Sequence, residues 1–371
     1  MESPVDWDLA RRVAVRVSGR EQYSESYHYA SLEPDFSRFT AEAEELVAET
    51  TGLHSSLGSA RARVADRPMW IGANIASFQR LLGPLTDKLG ERMNRRSFNR
   101  VARGAGGVEV GVVLGWMSTR VLGQYDLLLV EDDRPEDQDL VYYVGPNILA
   151  LEKKHGFPPE EFRLWLALHE CTHRAQFTGI PWLRDHFVSL VNATIDSVDP
   201  DPGRLVEAAK AILEARRRGE DALADGGVAA LLATPEQREL LNRIAGMMSL
   251  LEGHGDVTMD RAGADRVPSA ERFSGVLRAR RNSARGVSRL FQRLIGLEAK
   301  LNQYEAGEKF IAAVEQEGGP ALVDRAWEGP ENLPTLDEIR APQTWIDRVE
   351  GGGAGSAASA HAADPSGPVS G

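Results

Sequence analysis

Two histidines one helical turn apart carry the clearest chemical signal in the sequence. They belong to the segment His169-Glu170-Cys171-Thr172-His173, which matches the pattern H-E-x-x-H. Residues at positions i and i+4 share one face of a helix, so both imidazoles can reach one ion. Zinc accepts such nitrogen ligands in a tetrahedral shell, and Glu170 is close enough to take a proton from a zinc-bound water. The pattern therefore predicts a hydrolytic zinc centre.

The residues around the motif predict the helix that carries it. Pro158 and Pro159 suit a helix start, and Glu160 and Glu161 place negative charge at the positive end of the helix dipole. Gly179 marks the helix end. The segment is strongly apolar, so we expect both histidines to be buried. A pair of core histidines satisfied by hydrogen bonds is the alternative without a metal.

A catalytic zinc usually takes a third protein ligand and keeps one position open for water. One protease class supplies a third histidine six residues after His173, and the glycine at position 179 excludes that class. The candidate segment is LLEGHGDVTMDR at residues 250–261. There Glu252 and Asp256 are one helical turn apart, so one carboxylate could ligate while the other orients a ligating histidine.

His254 competes with Glu252 for the role of third ligand. Gly253 and Gly255 flank it and would allow the backbone to depart from an ideal helix. If His254 is not a ligand, it could donate a hydrogen bond to the oxyanion of a tetrahedral intermediate. The sequence favours Glu252 as the ligand and leaves His254 as the alternative.

Most of the remaining chain predicts helix, because apolar residues recur three and four positions apart in long, proline-poor segments. Thr234-Pro235-Glu236-Gln237 predicts another helix start, with Thr234 as cap and Gln237 reaching back to the cap amide. Two short apolar segments before the motif predict an antiparallel hairpin, Tyr125–Val130 with Leu140–Val144. The predicted helices are Ala41–Thr50, Ile71–Arg103, Arg204–Arg218 and Arg285–Glu317.

Charge and motif content disfavour binding to nucleic acids and to nucleotide phosphates. The 371 residues carry a formal charge of −12, which disfavours indiscriminate binding to nucleic acid. The arginine-rich segments Arg92–Arg103 and Arg278–Arg289 are therefore interpreted as solvated helix faces. The glycine-rich residues 104–107 are predicted to form a turn, since no Gly-Lys-Ser/Thr follows as in a phosphate-binding loop.

The same composition predicts a soluble protein of the cytoplasm. A single cysteine, Cys171, cannot form an internal disulfide. We expect no signal peptide and no membrane-spanning segment. One domain is predicted over residues 1–350, followed by a disordered tail over residues 351–371, which is rich in Gly, Ala and Ser.

Four separate segments give the chain a resemblance to a known family. LHECTHRAQF, LLEGHGDVTMDR, RVLGQYDLLL and ENLPTLDEIRAPQTWIDRV together resemble the bacterial zincin-like, zinc-dependent metalloproteases, over roughly Asp6 to Glu350. The family's members are often labelled as associated with biosynthesis of a deazaflavin coenzyme, but nothing in this chain resembles a deazaflavin or nucleotide site. The resemblance implies a mainly α fold of gluzincin type, with a small β element before the active-site helix. It also implies a zinc peptidase using His169, Glu170, His173 and the Glu252 segment.

Two hypotheses follow for function. In the first, the protein is a zinc metallopeptidase that hydrolyses peptide or protein substrates, with Glu170 as general base. In the second, the zinc is structural or a sensor, and the protein acts through a protein partner with a closed shell of four ligands. The sequence does not indicate the oligomeric state.

Overall fold

The computed structural model describes residues 5–81, 96–125, 139–197, 234–282 and 297–359. Three strands are present in these ranges: β1 (Arg61–Ala65), β2 (Gly123–Tyr125) and β3 (Leu140–Val144). The helices of the first half are α1 (Trp7–Ser18), α2 (Tyr27–Ala30), α3 (Leu32–Thr51), α4 (Arg67–Leu81), α5 (Arg96–Ser118), α6 (Gly145–His155), α7 (Pro159–Gly179) and α8 (Leu183–Asp196). The later helices are α9 (Pro235–Gly263), α10 (Ala270–Asn282), α11 (Leu297–Gly318), α12 (Pro320–Asp324), α13 (Leu336–Arg340) and α14 (Pro342–Ser359), with 3₁₀ turns at Arg325–Trp327 and Pro330–Asn332. The predicted mainly α fold is confirmed.

The chain divides into two compact units. The first contains Met1–Pro200 and Gly255–Gly286, and the second contains Asp201–His254 and Val287–Gly371. The division falls within α9, so this continuous helix contributes residues to both units. The prediction of one domain over residues 1–350 stays a prediction.

In the first unit the three strands form one small sheet in the order β1-β3-β2. β2 pairs antiparallel with β3, as predicted, but shares only Tyr125 with the predicted strand Tyr125–Val130. Residues 126–138 lie outside the described residues. β1 pairs parallel with β3 and was not predicted, since two of its five residues are arginines. A parallel pair needs a crossover connection, which here includes α4 and α5.

The central strand β3 is buried on both faces of the sheet. Val141 and Tyr143 belong to one apolar cluster, and Tyr142 and Val144 belong to another, as expected when successive side chains alternate. The Tyr143 ring stacks on Phe36 with centroids 3.9 Å apart. The two clusters cover the sheet with helices on either side, which explains why all five residues of β3 are buried.

Helices α1 and α5 pack at backbone distance along a row of glycines. A Cβ atom at Gly111 would lie 2.6 Å from the Ala10 carbonyl oxygen, and one at Gly115 would lie 2.5 Å from that of Ala14.

The predicted turn at residues 104–107 is wrong, because this segment is part of α5. The glycines serve close helix packing rather than chain reversal. The predicted helix Ile71–Arg103 corresponds to α4 and α5, with residues 82–95 outside the described ranges.

The first described helix of the second unit, α9, has the helix start that the sequence predicts. The Thr234 N–H donates to Gln237 Oε1 over 2.8 Å, and the Gln237 N–H donates to Thr234 Oγ1 over 3.1 Å. This reciprocal pair is the predicted capping box of α9. Further along α9, a Cβ atom at Gly253 would lie 2.4 Å from the Gly307 carbonyl carbon of α11. Gly253 therefore permits close helix packing and does not mark a break in the helix.

The C-terminal helices of the second unit close around aromatic residues. Phe310 meets Trp345 edge to face with centroids 5.3 Å apart, and Trp345 Nε1 donates to the Asn332 carbonyl over 2.7 Å.

The predicted helix Ala41–Thr50 lies within α3, and Arg285–Glu317 overlaps α11. Arg204–Arg218 lies outside the described residues.

The last described helix, α14, ends at Ser359, and residues 360–371 lie outside the described part of the chain. The disordered tail over residues 351–371 stays a prediction.

Buried tyrosines predict a loss of stability in alkali. Burial raises the pKa of Tyr143, and burial with nearby Asp66 raises the pKa of Tyr29 to about 12. An unfolded tyrosine ionises near pH ~10, so above that pH the unfolded chain releases protons that the folded chain retains. The free energy of unfolding should therefore fall as the pH rises from 10 to 12, as measured by urea denaturation.

Tyr143→Phe should show a shallower pH dependence than the wild type. The matched control is Tyr27→Phe, which changes a ring that is 82% exposed and should keep the wild-type dependence. Equal slopes for all three proteins would contradict this account.

Candidate metal centre

Helix α7 holds the H-E-x-x-H motif within the first unit. It begins at Pro159 and ends at Gly179, as predicted. Most of its residues are buried, including Phe162, Leu166 and Leu168. The histidines differ from the prediction, since both are only partly buried and the side chain of His169 is 23% exposed. The motif thus lies at a boundary between core and solvent, where an ion could be reached from outside.

The two imidazoles converge through the same ring atom. His169 Nε2 and His173 Nε2 are 3.3 Å apart, and the ring planes are nearly perpendicular at 86°. The Nδ1 atoms face other groups: Gln176 Oε1 lies 3.0 Å from Nδ1 of His173, and Asp256 Oδ1 lies 3.8 Å from Nδ1 of His169. Gln176 Oε1 can accept a hydrogen bond from Nδ1 of His173, and in that tautomer Nε2 offers its lone pair to a metal.

Helix α9 supplies the acidic residues near these rings. A ligand atom of Glu252 joins those of His169 and His173 in a group whose atoms all lie within 4.8 Å of one another. Asp256 follows one helical turn after Glu252. At Gly255 the helix approaches the rings so closely that a Cβ atom would lie 3.3 Å from His173 Cε1. A larger side chain at position 255 would crowd the imidazoles, so the glycine there serves close approach rather than backbone irregularity.

This donor set fits a zinc ion. Two nitrogens bound to a tetrahedral zinc at about 2.0–2.1 Å are separated by about 3.3–3.4 Å. The observed separation of 3.3 Å between the Nε2 atoms of His169 and His173 agrees with that spacing. Two imidazoles and one carboxylate are also a common ligand set of catalytic zinc.

His254 does not belong to this group of possible ligands. Its ring meets the Trp327 ring edge to face, with centroids 5.2 Å apart and planes at 78°. On a regular helix, residue 254 points about 200° away from residue 252. Of the two candidates for third ligand, the group able to hold an ion includes Glu252. The role of His254 as a donor to an oxyanion stays a prediction.

The carboxylate of Glu170 lies against strand β2. It is 6% exposed, and its Oε2 accepts a hydrogen bond from the Tyr125 N–H over 3.1 Å. The Val144 N–H donates to the Leu122 carbonyl, so alternation along β2 turns the backbone groups of Gly123 and Tyr125 away from β3. Among the described strands β2 is at the edge of the sheet. Glu170 is therefore held by the outward-facing side of an edge strand.

A buried arginine on the same helix fixes this strand. Arg174 is 2% exposed and binds Asp139 in a bidentate pair, Nε to Oδ1 at 2.9 Å and Nη2 to Oδ2 at 2.6 Å. Asp139 in turn accepts from the Tyr125 hydroxyl over 3.2 Å, and Glu44 of α3 also binds Arg174. Burial raises the pKa of Tyr125, and the adjacent Asp139 adds to the effect, so the hydroxyl stays a donor. Helix α7 thus holds Tyr125 at both its amide and its hydroxyl.

Several of these residues were not predicted from the sequence. Gln176 lies one turn after His173, and that spacing could have indicated a partner for the imidazole. Gly123, Tyr125 and Asp139 lie in the hairpin region but carry no pattern that points to the site. Cys171, within the motif, is buried, with its Sγ atom 3.5 Å from the Thr40 carbonyl oxygen.

Comparison with known proteins agrees with this geometry. The sequence model of a family described as zincin-like metallopeptidase matches residues 5–346. The chain belongs to this family. The match spans both histidines, Glu170 and Glu252, and it confirms the resemblance seen in the sequence. No curated protein matches the chain significantly.

A solved structure is also similar to this zincin-like chain. It is described as a putative hydrolase with a novel fold from Chloroflexus aurantiacus. The two share 32% sequence identity with a TM-score of 0.70, over 93% of this chain and 99% of the other. Within the part of the chain that the structure describes, no helix is both long and apolar enough to cross a membrane.

The ligand group predicts zinc binding that depends on named side chains. The chain should bind one zinc, and His173→Ala or Glu252→Ala should weaken binding at least tenfold, because each removes one of three convergent donors. Competition with a chromogenic chelator would measure the affinity. His54→Ala removes an exposed imidazole on a different segment and should leave the affinity unchanged. Equal affinity in all four proteins would exclude this ligand set.

The Arg174 network predicts a large effect on stability. Arg174→Met would leave the buried carboxylate of Asp139 without its cation, a loss that typically costs about 3–5 kcal/mol. The control is Arg38→Met, since the side chain of Arg38 is 52% exposed and surface ion pairs contribute about 0–1 kcal/mol. Chemical denaturation of both variants measures the difference, and similar losses would contradict the assigned role.

Proposed function

We propose that this protein is a zinc-dependent metallopeptidase that hydrolyses peptide bonds. The observation that carries the proposal is the 3.3 Å separation of the His169 and His173 Nε2 atoms, in a group with Glu252. The family match adds support, because the family is described as zincin-like metallopeptidase. The proposed ligands are His169, His173 and Glu252.

Each ligating imidazole has a group that would orient it. Gln176 lies at Nδ1 of His173, and Asp256 lies at Nδ1 of His169. Such partners fix ring orientation and raise the basicity of the ligating nitrogen, and losing one typically weakens metal affinity about 10–100-fold. When bound, zinc would polarise the scissile carbonyl and lower the pKa of a bound water.

Glu170 is the proposed general base. It follows His169 directly, and its carboxylate is buried at strand β2, where solvent does not compete for its hydrogen bonds. From there it would accept a proton from the attacking water and then donate it to the departing amine. The proton transferred in the first step is the one delivered in the second, so Glu170 ends the cycle ionised as it began.

Strand β2 is the proposed docking site for substrate. An extended peptide can pair with an exposed strand edge through its main chain, which gives affinity without dependence on sequence. The backbone groups of Gly123 face away from β3, adjacent to Glu170. The proposed substrates are therefore extended peptides or unstructured protein segments. The proposal includes a cytoplasmic location, which is compatible with a single, buried thiol.

The decisive variant is Glu170→Gln, which keeps the size of the side chain and removes its basicity. It should bind zinc as the wild type does, and its kcat should be about 10²–10⁴-fold lower, which is the usual contribution of a positioned acid–base group. Zinc content and cleavage of a fluorogenic peptide library measure the two properties. Glu328→Gln, an exposed acid far along the chain, serves as the control.

Full peptide cleavage by Glu170→Gln would exclude Glu170 as the base. A zinc-loaded wild type that cleaves nothing, with four protein ligands seen by X-ray absorption, would favour the non-catalytic zinc protein instead. A water in the fourth position would favour the peptidase.

A further inference from the structure

Gly123 of strand β2 lies directly against the carboxylate of Glu170. A Cβ atom built on Gly123 would lie 2.4 Å from Oε1 and 2.7 Å from both Cδ and Cγ of Glu170. Real Cβ atoms essentially never approach heavy atoms this closely. The end of the Glu170 side chain therefore occupies the space that any other residue at position 123 would need.

The requirement at Gly123 is one of space, because its backbone conformation is open to other residues. In the described ranges, the glycines with positive φ are at other positions: 19, 52, 58, 156 and 319. Gly123 has ordinary strand geometry and pairs opposite Tyr143 of β3. A β-strand gains stability from a side chain at most positions, so a glycine here weakens the strand locally. What it provides in return is room for the carboxylate.

We propose that Gly123 is a positioning residue for Glu170, and that Gly123 and the Tyr125 N–H together form a seat for the general base. This inference rests on the proposed function, in which Glu170 is that base. The seat has two walls. On one side, Oε1 and Cδ occupy the place of a Cβ atom on residue 123, and on the other the Tyr125 N–H donates to Oε2 over 3.1 Å. The two contacts involve different oxygens, so they fix the orientation of the carboxylate as well as its position.

The seat is rigid because Tyr125 is itself anchored. Its hydroxyl is held by Asp139, which is held by Arg174, and Arg174 lies one turn after Glu170 on α7. A displacement of β2 relative to α7 would have to break this buried chain of bonds. Helix α7 therefore carries Glu170 and also holds strand β2 in place against its carboxylate.

A methyl group at position 123 should displace the carboxylate without removing it. The Glu170 side chain is flexible, so in Gly123→Ala it can rotate away from the methyl group, at the expense of its bond to the Tyr125 N–H. The three heavy atoms nearest to the Cβ position of Gly123 all belong to Glu170, so the added methyl group meets the base first. The metal ligands should thus stay in place while the base moves.

The first experiment is kinetic. Zinc-loaded Gly123→Ala should lose at least tenfold in kcat on a fluorogenic peptide, with zinc affinity unchanged and KM within about twofold of wild type. The control is Gly275→Ala on α10, where an added Cβ has no atom within 4 Å, and which should keep the wild-type kcat. An unchanged kcat in Gly123→Ala would overturn the proposal.

The second experiment is a double-mutant cycle on stability, which does not depend on catalysis. Gly123→Ala should lower the thermal midpoint of the wild type by several degrees and should leave that of Glu170→Ala nearly unchanged, because the truncated side chain no longer fills the space. If Gly123→Ala alone fails to fold, the double variant should fold. An equal effect in both backgrounds, or a double variant that also fails to fold, would overturn the seat.

The two experiments separate the possible failures. If the wild type hydrolyses no peptide, the proposed function fails, and the stability cycle alone decides whether Gly123 seats Glu170. If the wild type is active and the cycle shows no coupling, the proposed function stands and the seat is excluded.

Discussion

The spacing of two imidazoles along one helix is useful only if that helix cannot rotate or slide, and buried charge provides this constraint. Arg163 and Arg174 are eleven residues apart on α7, about three turns, so they project from the same side. Arg163 binds Glu152 through two bonds of 2.8 and 2.9 Å, much as Arg174 binds Asp139. An ion left without its partner in the interior costs several kcal/mol, so any shift of α7 that breaks these pairs is strongly disfavoured.

The arginine pairs also connect the helix to the elements that complete the site. Arg163 binds Asp35 of α3 as well as Glu152 of α6, and Arg174 binds Glu44 of α3 and Asp139 at the start of β3. The bonds to Asp35 and Glu44 join α7 to a helix that is 128 to 130 residues away in sequence. The sheet, α3 and α6 therefore share one reference element, and the positions of His169, Glu170 and His173 are defined relative to it.

The sequence predicted what depends on local patterns. The limits of α7, the capping box of α9 and the antiparallel pairing of β2 with β3 follow from residue types at short spacing. Helical periodicity also favoured Glu252 over His254 as third ligand, because only Glu252 lies one turn from Asp256, and this assignment stays a prediction. The strand β1 was missed, since its parallel pairing with β3 joins residues almost eighty positions apart and its arginines mask the pattern.

The glycines show why the rest could not be predicted. A glycine in a sequence indicates freedom of the backbone, and residues 104–107, Gly253 and Gly255 were interpreted in that way. In the structure Gly253 and Gly255 give room for another chain segment or an imidazole ring, and residues 104–107 continue a helix. Gly123 gives room for a carboxylate. Which neighbour fills the space is a property of the tertiary structure, and no local pattern records it.

Cys171 stands between the two histidines in sequence, yet its thiol projects into the core towards α3. Burial raises the pKa of this thiol, so it is held in its unreactive, protonated form. It is the chain's single cysteine, and it has neither the direction nor the charge to compete with Glu252 for a metal. Alkylating reagents and peroxide inactivate many metal centres built from thiolates. At the centre formed by His169, His173 and Glu252 they would find no accessible thiol.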